Sequence, residues 1–380
     1  MFNDIIKAFA FGSAPQNMSD TQQLTTGINV KVVGVGGAGG NAVSRMVKTG
    51  LTQVDTLVLN TDIQALDTMP HILSYAIGPK TVKGMGSGGR PEVGRKAVRE
   101  SQPDISELLD GSDMVFVTAG MGGGTGTGAS ATVADIARKK GALTVGVVTL
   151  PFSFEGTRRR EVAEQGIRSL RQKVDTLIIV ENDRLLPSLK GNVTLARAFE
   201  AADDVLRQGV KGISDIITVS GMINVDFADV RSVMANGGPA FMAYGEGKGK
   251  WAALEAARSA LANPLFNAPL EGASGILLNV TGGKDLTLGQ VHEVAEIIRK
   301  AAKSDANVIF GVVQERHMKK RVGITLIGTG VGSTPQEEPT PKDESKSVVT
   351  LSDAELNRLI NAPSSNGHLP ADLTQSARLL

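Results

Sequence analysis

From Ile28 onward, apolar residues fall into short β-branched runs separated by stretches with helical spacing. "INVKVVGV", "VDTLVLN", "ILSYAIG", "DMVFVTA", "ALTVGVVTLP" and "DTLIIVEN" are each bounded by glycine, proline or polar residues, and they predict six strands. Between them, "NAVSRMVKTG", a segment from about Gly126 that closes in "RKKG", and a charged stretch near 156–173 predict helices. Strands apolar on both faces that alternate with helices specify a parallel sheet covered on both sides.

The next segment, "LARAFEAADDVLRQGVKGISDIITV", keeps Leu195, Phe199, Ala202, Leu206, Val210, Ile213 and Ile217 on one stripe and predicts a long central helix. Beyond Asn224 the pattern predicts a helix to Ala235, strands near 238–244, 274–281, 306–313 and 321–327, and helices near 250–261 and 287–302. The expected fold is therefore α/β: a Rossmann-like parallel-sheet domain (29–194), a central helix and connection (195–223) and a second, smaller α/β domain (224–330). A disordered arm (1–28) precedes these. A flexible linker (331–350), rich in proline, serine and charge, leads to a tail (351–380) with one short helix in "LSDAELNRLINA".

Composition narrows the functions. Forty basic residues against 39 acidic ones give a net charge of +1, which does not suit a nucleic-acid or membrane-coating protein. The chain has no cysteine, so thiol catalysis, disulfides and thiolate metal sites are excluded, and its four histidines lack ligand spacing. No apolar run approaches about 18 residues, the length a membrane span needs. "DIIKAFAFGSA" is interrupted by Lys7 and is too short for a secretory signal, so the expected compartment is the cytoplasm.

Two glycine-rich stretches follow strands: "GVGGAGGN" (34–41) and "GMGGGTGTGA" (120–129). Bare backbone at a helix start lets N–H groups point at an anion and lets phosphate oxygens come close. The plainer reading of each is a tight turn with close helix packing. The first fits G-x-G-x-x-G through Gly34, Gly36 and Gly39, with Asp62 placed where a ribose-binding acid would fall, so an NAD-dependent oxidoreductase is the alternative. The second, with Thr125 and Thr127, adds a further anion cradle that such an enzyme does not need. No Walker-type G-x-x-x-x-G-K-[ST] occurs.

"GGGTGTG" after a strand resembles the signature of the tubulin superfamily, and "GVGGAGGNAV", "LNTDIQAL", "PFSFEGTRR", "ENDRLL" and "NVDFADV" resemble its FtsZ branch, in order, over about residues 29–330. The resemblance implies a GTPase that polymerises head to tail into the bacterial division ring, cytoplasmic and concentrated at mid-cell. It implies GTP or GDP and Mg²⁺ as ligands, with partners among copies of itself, membrane anchors and regulators. Gly37, Ala38, Gly39, Gly40 and Asn41 would line the first loop, while Gly124, Thr125 and Gly126 would grip the β- and γ-phosphates. Glu155 would contact the ribose, with Arg159 near the phosphates; Asn182 and Asp203 would read guanine, with Phe199 against the base. Asn224, Asp226 and Asp229 would face the γ-phosphate of the next subunit and act there as the catalytic set, orienting water and Mg²⁺. Residue types alone leave plainer roles open: a helix cap for Asn182, core packing for Phe199, and first-turn acids at a helix start for Asp226 and Asp229. The end "HLPADLTQSARLL" only partly matches the family's anchor-docking peptide and carries no aromatic.

Overall fold

The structure, a computed structural model, describes residues 27–51, 53–188, 193–219, 221–265, 270–302, 306–315 and 318–331. The arm before Gly27, the linker beyond Val331 and the tail lie outside them. All six N-terminal strands form: β1 (Val30–Val35), β2 (Asp55–Asn60), β3 (Leu73–Ala76), β4 (Met114–Gly120), β5 (Leu143–Leu150) and β6 (Thr176–Glu181). Four more follow: β7 (Gly238–Lys248), β8 (Gly275–Gly282), β9 (Asn307–Gln314) and β10 (Arg321–Thr329). Helices of eight residues or more are α1 (Gly36–Lys48), α2 (Pro91–Glu100), α3 (Thr125–Lys139), α4 (Thr157–Arg171), α5 (Leu195–Thr218), α6 (Phe227–Met234), α7 (Ala252–Leu261) and α8 (Leu288–Ala301).

The strands share one sheet in the order β3-β2-β1-β4-β5-β6-β7-β10-β8-β9. Every neighbouring pair from β3 to β7 is parallel, β10 runs antiparallel to β7 and β8, and β8 is parallel to β9. The two halves meet in a short ladder, Thr176, Leu177 and Ile178 opposite Gly238, Pro239 and Ala240. Along β4, Met114 and Phe116 enter one core while Val115, Val117 and Ala119 enter the other. That alternation fixes the register, because a slip of one residue would exchange the two faces. A third core lies in the C-terminal half, where Ala253, Ala256, Ala257 and Ala260 of α7 pack with Phe241, Ile324 and Leu326.

Strand order reverses between β1 and β4, since β1 is flanked by β2 on one side and β4 on the other. Ligands of open parallel sheets bind beyond the carboxyl ends of the strands at such a switch point. Both glycine stretches lie there. Gly36, at φ +75°, adopts the left-handed backbone glycine tolerates, and a Cβ on it would come within 2.8 Å of Gly126 N. A Cβ on Gly39 would meet Thr118 O at 2.5 Å, and one on Gly126 would meet Gly120 O at 2.7 Å. These glycines serve packing, as the plainer reading held. Gly37 and Gly123 differ: nothing lies within 4 Å of a Cβ built on either.

Helix α2 was not foreseen in the sequence. Gly94 sits in its middle and reads as a breaker, but a Cβ there would meet Gly124 O at 2.5 Å, so glycine lets α2 lie against the second loop. The central helix α5 forms as expected, though its stripe frays. Ala202, Leu206, Val210 and Ile213 are buried, whereas Leu195 and Phe199 at its start are exposed. Lys211 ties α5 to the C-terminal half, its Nζ lying 2.5 Å from Asp215 Oδ2 and 2.8 Å from Glu315 Oε1.

The glycine contacts separate two substitutions. Gly39→Ala should lower stability in urea unfolding by about 1–3 kcal/mol through overpacking. Gly37→Ala, in open space near a helix start, should be neutral or raise it by up to about 1 kcal/mol. Equal effects would contradict the packing role of Gly39.

Candidate functional site

The two glycine stretches are themselves helix starts. Helix α1 opens at Gly36, one residue past β1, and α3 opens at Thr125, and neither carries a side-chain cap. The first backbone N–H groups of a helix have no intrahelical acceptor. Here two such sets lie side by side. Gly37, Ala38 and Asn41 are exposed, while Gly39, Gly40, Gly124 and Gly126 are buried.

The threonines of the second loop are structural anchors. Thr125 Oγ1 lies 2.6 Å from Thr61 Oγ1 and 3.1 Å from Ser87 Oγ, a buried hydroxyl chain joining the loop to the segments after β2 and α2's approach. Thr127 Oγ1 accepts from Gly122 N at 2.8 Å and closes the loop on itself. Gly122, at φ +99°, brings its backbone against Arg159, whose O and Cγ would lie within 2.8 Å of a Cβ there. Arg159 therefore sits beside the second loop. Glu155 turns back on its own segment: Oε1 accepts from Phe152 N at 2.9 Å, and Oε2 lies 3.2 Å from Arg159 Nε.

Phe152, Asn182, Phe199 and Asp203 occupy the carboxyl-end side of the same sheet. Phe152 follows β5, stacks on Phe154 at 5.1 Å and meets Phe199 edge-on at 5.5 Å. Phe199 is 40% exposed, so core packing does not account for it. Asn182, at the end of β6, is 4% exposed, and its Oδ1 is buried without a hydrogen-bond partner. A buried carbonyl oxygen left this way costs roughly 1–3 kcal/mol. It does not act as a helix cap.

Asp203 lies one turn beyond Phe199 on α5. Burial pushes its carboxyl up to about 6, and the nearby Arg45 guanidinium pulls only partly against that. Arg45, on α1, holds Nε 3.7 Å from Asp203 Oδ2 and Nη2 3.5 Å from Glu200 Oε1, yet its buried Nε makes no hydrogen bond. Sequence reasoning passed over Arg45, Thr61, Ser87 and Phe152. Thr61 and Phe152 stood inside the quoted stretches "LNTDIQAL" and "PFSFEGTRR", and Arg45 lies one turn after Asn41 on the same helix face. Asp62, the candidate ribose acid of the dinucleotide alternative, caps a short helix instead, accepting from Gln64 N at 3.0 Å.

The acids of "NVDFADV" lie elsewhere. Asn224 Oδ1 accepts from Gly221 N at 2.7 Å. Asp226 occupies the N-cap position of α6, but its carboxylate makes no cap bond; Asp229 lies in the first turn, and both are exposed. Helix α6 packs at the amino ends of the parallel strands. Met234 O accepts from Thr176 Oγ1 at the start of β6, and Arg231 reaches Gly141 O just before β5. The eight residues of β5 span about 26 Å. From Asp203 to Thr218, α5 runs about 23 Å. The acid pair and the glycine loops are thus at opposite ends of one chain.

An α/β sheet with two uncapped helix starts at its switch point, an aromatic wall and a desolvated carboxylate defines a nucleotide-binding protein. Comparison carries this further. Residues 29–190 match the GTPase domain of the Tubulin/FtsZ family, and residues 238–332 match the C-terminal domain of the FtsZ family. FtsZ of M. jannaschii, solved as an empty dimer, is 39% identical with a TM-score of 0.78, over 87% of this chain and 92% of that one. CetZ1 of Haloferax volcanii, a GDP-bound monomer, shares the fold at 21% identity and a TM-score of 0.69, over 81% and 96%. CetZ2 of the same organism, a GTPγS-bound protofilament, does so at 22% and 0.67, over 80% and 93%. The chain belongs to the tubulin/FtsZ family, whose members are GTPases. No helix among the described residues is long and apolar enough to cross a membrane.

The balance at Asp203 is open to test. Arg45→Met removes the charge that holds its carboxyl down, so its titration in the nucleotide-free protein should move from near 6 to higher pH. Carboxyl carbon NMR shifts across pH 4–9 would report it. A titration that stays put or moves down would refute the pairing.

Proposed function

We propose that this chain hydrolyses GTP at a site shared by consecutive copies in a head-to-tail filament, and that it serves the bacterial division ring at mid-cell. The observation that carries the reading is the placement of Asp226 and Asp229 at the amino ends of the strands, opposite the glycine loops. Carboxylates exposed there, without caps or ion pairs to hold them, suit a surface completed by another copy. The FtsZ C-terminal-domain match and the 39% identity to FtsZ, against 21–22% to the CetZ proteins, favour the FtsZ branch.

Guanine suits the pocket for chemical reasons. An ionised Asp203 accepts from both the ring N–H and the exocyclic amine of guanine, whereas adenine offers no such pair of donors. Asn182 Oδ1 is a buried acceptor in want of a donor, and Phe199 presents an exposed ring. The N–H groups at the starts of α1 and α3 take the phosphates, with Gly37 and Gly123 leaving room for the oxygens. Arg159 stands beside the second loop, and Glu155 acts as its orienting partner.

The described residues contain no cluster of three metal-binding side chains, so a Mg²⁺ ion would rest on phosphate oxygens and water with one or two carboxylates, Asp226 and Asp229 being those on offer. Bound there, it would neutralise charge on the phosphates. Asp229 and Asp226 of one copy accept hydrogen bonds from a water and aim it in line at the γ-phosphate held by the next copy, while Asn224 braces the connection through Gly221 N.

Mixing two variants tests the sharing. Asp229→Ala should bind GTP normally but turn it over slowly, and Asp203→Ala should bind GTP at least tenfold more weakly because two charge-assisted hydrogen bonds are lost. An equimolar mixture should recover roughly a quarter of wild-type turnover if copies mix at random, since only that share of interfaces pairs a sound pocket with sound acids. Turnover equal to the mean of the two variants alone, with both pelleting in one polymer, would rule out a shared site.

A further inference from the structure

Three loop tips converge at one corner of the C-terminal half. The turn between β7 and α7, the turn between β8 and α8, and residues 318–320 just before β10 are joined by Gly249 N donating to Lys320 O at 2.8 Å and Lys320 N donating to Asp285 Oδ2 at 2.7 Å. Two large apolar side chains stand out from them. Trp251, the chain's single tryptophan, is 57% exposed, and Leu288 is 82% exposed. The same turns and the strand ends beside them carry the exposed Lys248, Lys250, Lys284, Lys319 and Lys320. The Lys250 ammonium lies 5.3 Å from the Trp251 ring centroid.

The acids nearby are already engaged. Asp285 accepts from Lys320 N, Glu255 accepts from Lys248 N at 3.3 Å, and Glu246 pairs with Arg321. Lys248 also pairs with Glu246 at 3.9 Å, yet six cations (Lys248, Lys250, Lys284, Lys319, Lys320 and Arg321) stand against three acids (Glu246, Glu255 and Asp285), so the corner is cationic in a chain whose net charge is only +1. The cavity between the tips measures only about 20 Å³, too small to seat a peptide or small ligand. Two exposed apolar side chains on turns that carry five exposed lysines complement an extended anionic plane. Tryptophan and leucine settle at the boundary of headgroups and acyl chains, while lysine ammoniums remain among the anionic headgroups.

We propose that this corner docks the protein directly on an anionic lipid bilayer, with Trp251 and Leu288 entering the interface and the lysines meeting the headgroups. The site is separate from the glycine loops and from Asp226 and Asp229, and the proposal does not rest on the shared-site reading. The tryptophan supplies its own probe. With vesicles of phosphatidylglycerol mixed with phosphatidylcholine, the full chain should float with the lipid and its tryptophan emission should shift to the blue. Pure phosphatidylcholine vesicles should do neither, and added salt should reverse both effects. Lys319→Glu with Lys320→Glu should weaken flotation at least tenfold, and Trp251→Ser with Leu288→Ser should weaken it at least fivefold, each at an unchanged melting temperature. Equal flotation on neutral vesicles would overturn the proposal. So would unchanged flotation of the charge-reversed variant, which would assign lipid binding to the arm or tail. A blue shift that appears on concentrating the protein without lipid, and is lost in both variants, would instead make the corner a contact between copies.

Discussion

The site depends on backbone packed directly against backbone at the sheet's switch point. Gly36 abuts Gly126, Gly39 abuts Thr118 O, and Gly94 abuts Gly124 O, each at distances no Cβ would tolerate. Removing the side chains lets α1, α2 and α3 crowd together over the ends of β1 and β4, which places two uncapped helix starts next to each other. The hydroxyl chain through Thr61, Thr125 and Ser87 then fixes the start of α3 without using the N–H groups that an anion would need. Packing and donor placement here are one requirement, because the contacts that forbid side chains also bring the N–H groups together.

Around that rigid floor the polar groups are under-compensated. Asn182 Oδ1 and Arg45 Nε are buried without hydrogen bonds, and Asp203 is desolvated against a guanidinium held 3.7 Å away. A core selected only for stability would replace such groups or pair them. Asn182, Arg45 and Asp203 lie on one side of the sheet with an exposed Phe199, the expected mark of a surface shaped for something other than the chain's own folding.

Much of this was legible in the sequence, and the reasons are physical. Strands buried on both faces write continuous apolar runs, so all six parallel strands and the long α5 could be read with small errors at their ends. Glycine could not be interpreted so simply. In "GVGGAGGN" it marks both a packing contact at Gly39 and open space at Gly37, and only coordinates separate the two. At Gly94 it concealed a helix. The stripe of α5 was overdrawn at Leu195 and Phe199 because apolar spacing does not reveal where a helix leaves the core. Arg45 and Phe152 contribute through contacts made far along the chain, which local pattern does not record. The C-terminal half was legible as alternating elements, but not its junction to β6 through the short ladder with β7.

Helix α5 joins the glycine-loop end of the molecule to the acid end as one rod of 24 residues, about 36 Å long. On the proposed reading it acts as a ruler, setting how far apart successive pockets fall along a filament and which way the acids point. Substitutions on its surface leave that measure intact. A single inserted or deleted residue would shift everything beyond it by about 1.5 Å and turn it by about 100°. Such a change would turn the buried face beyond it out of the core and misalign every interface in the polymer at once. The helix is thus constrained in length far more tightly than in composition, and related chains should differ in its residues while agreeing in their number.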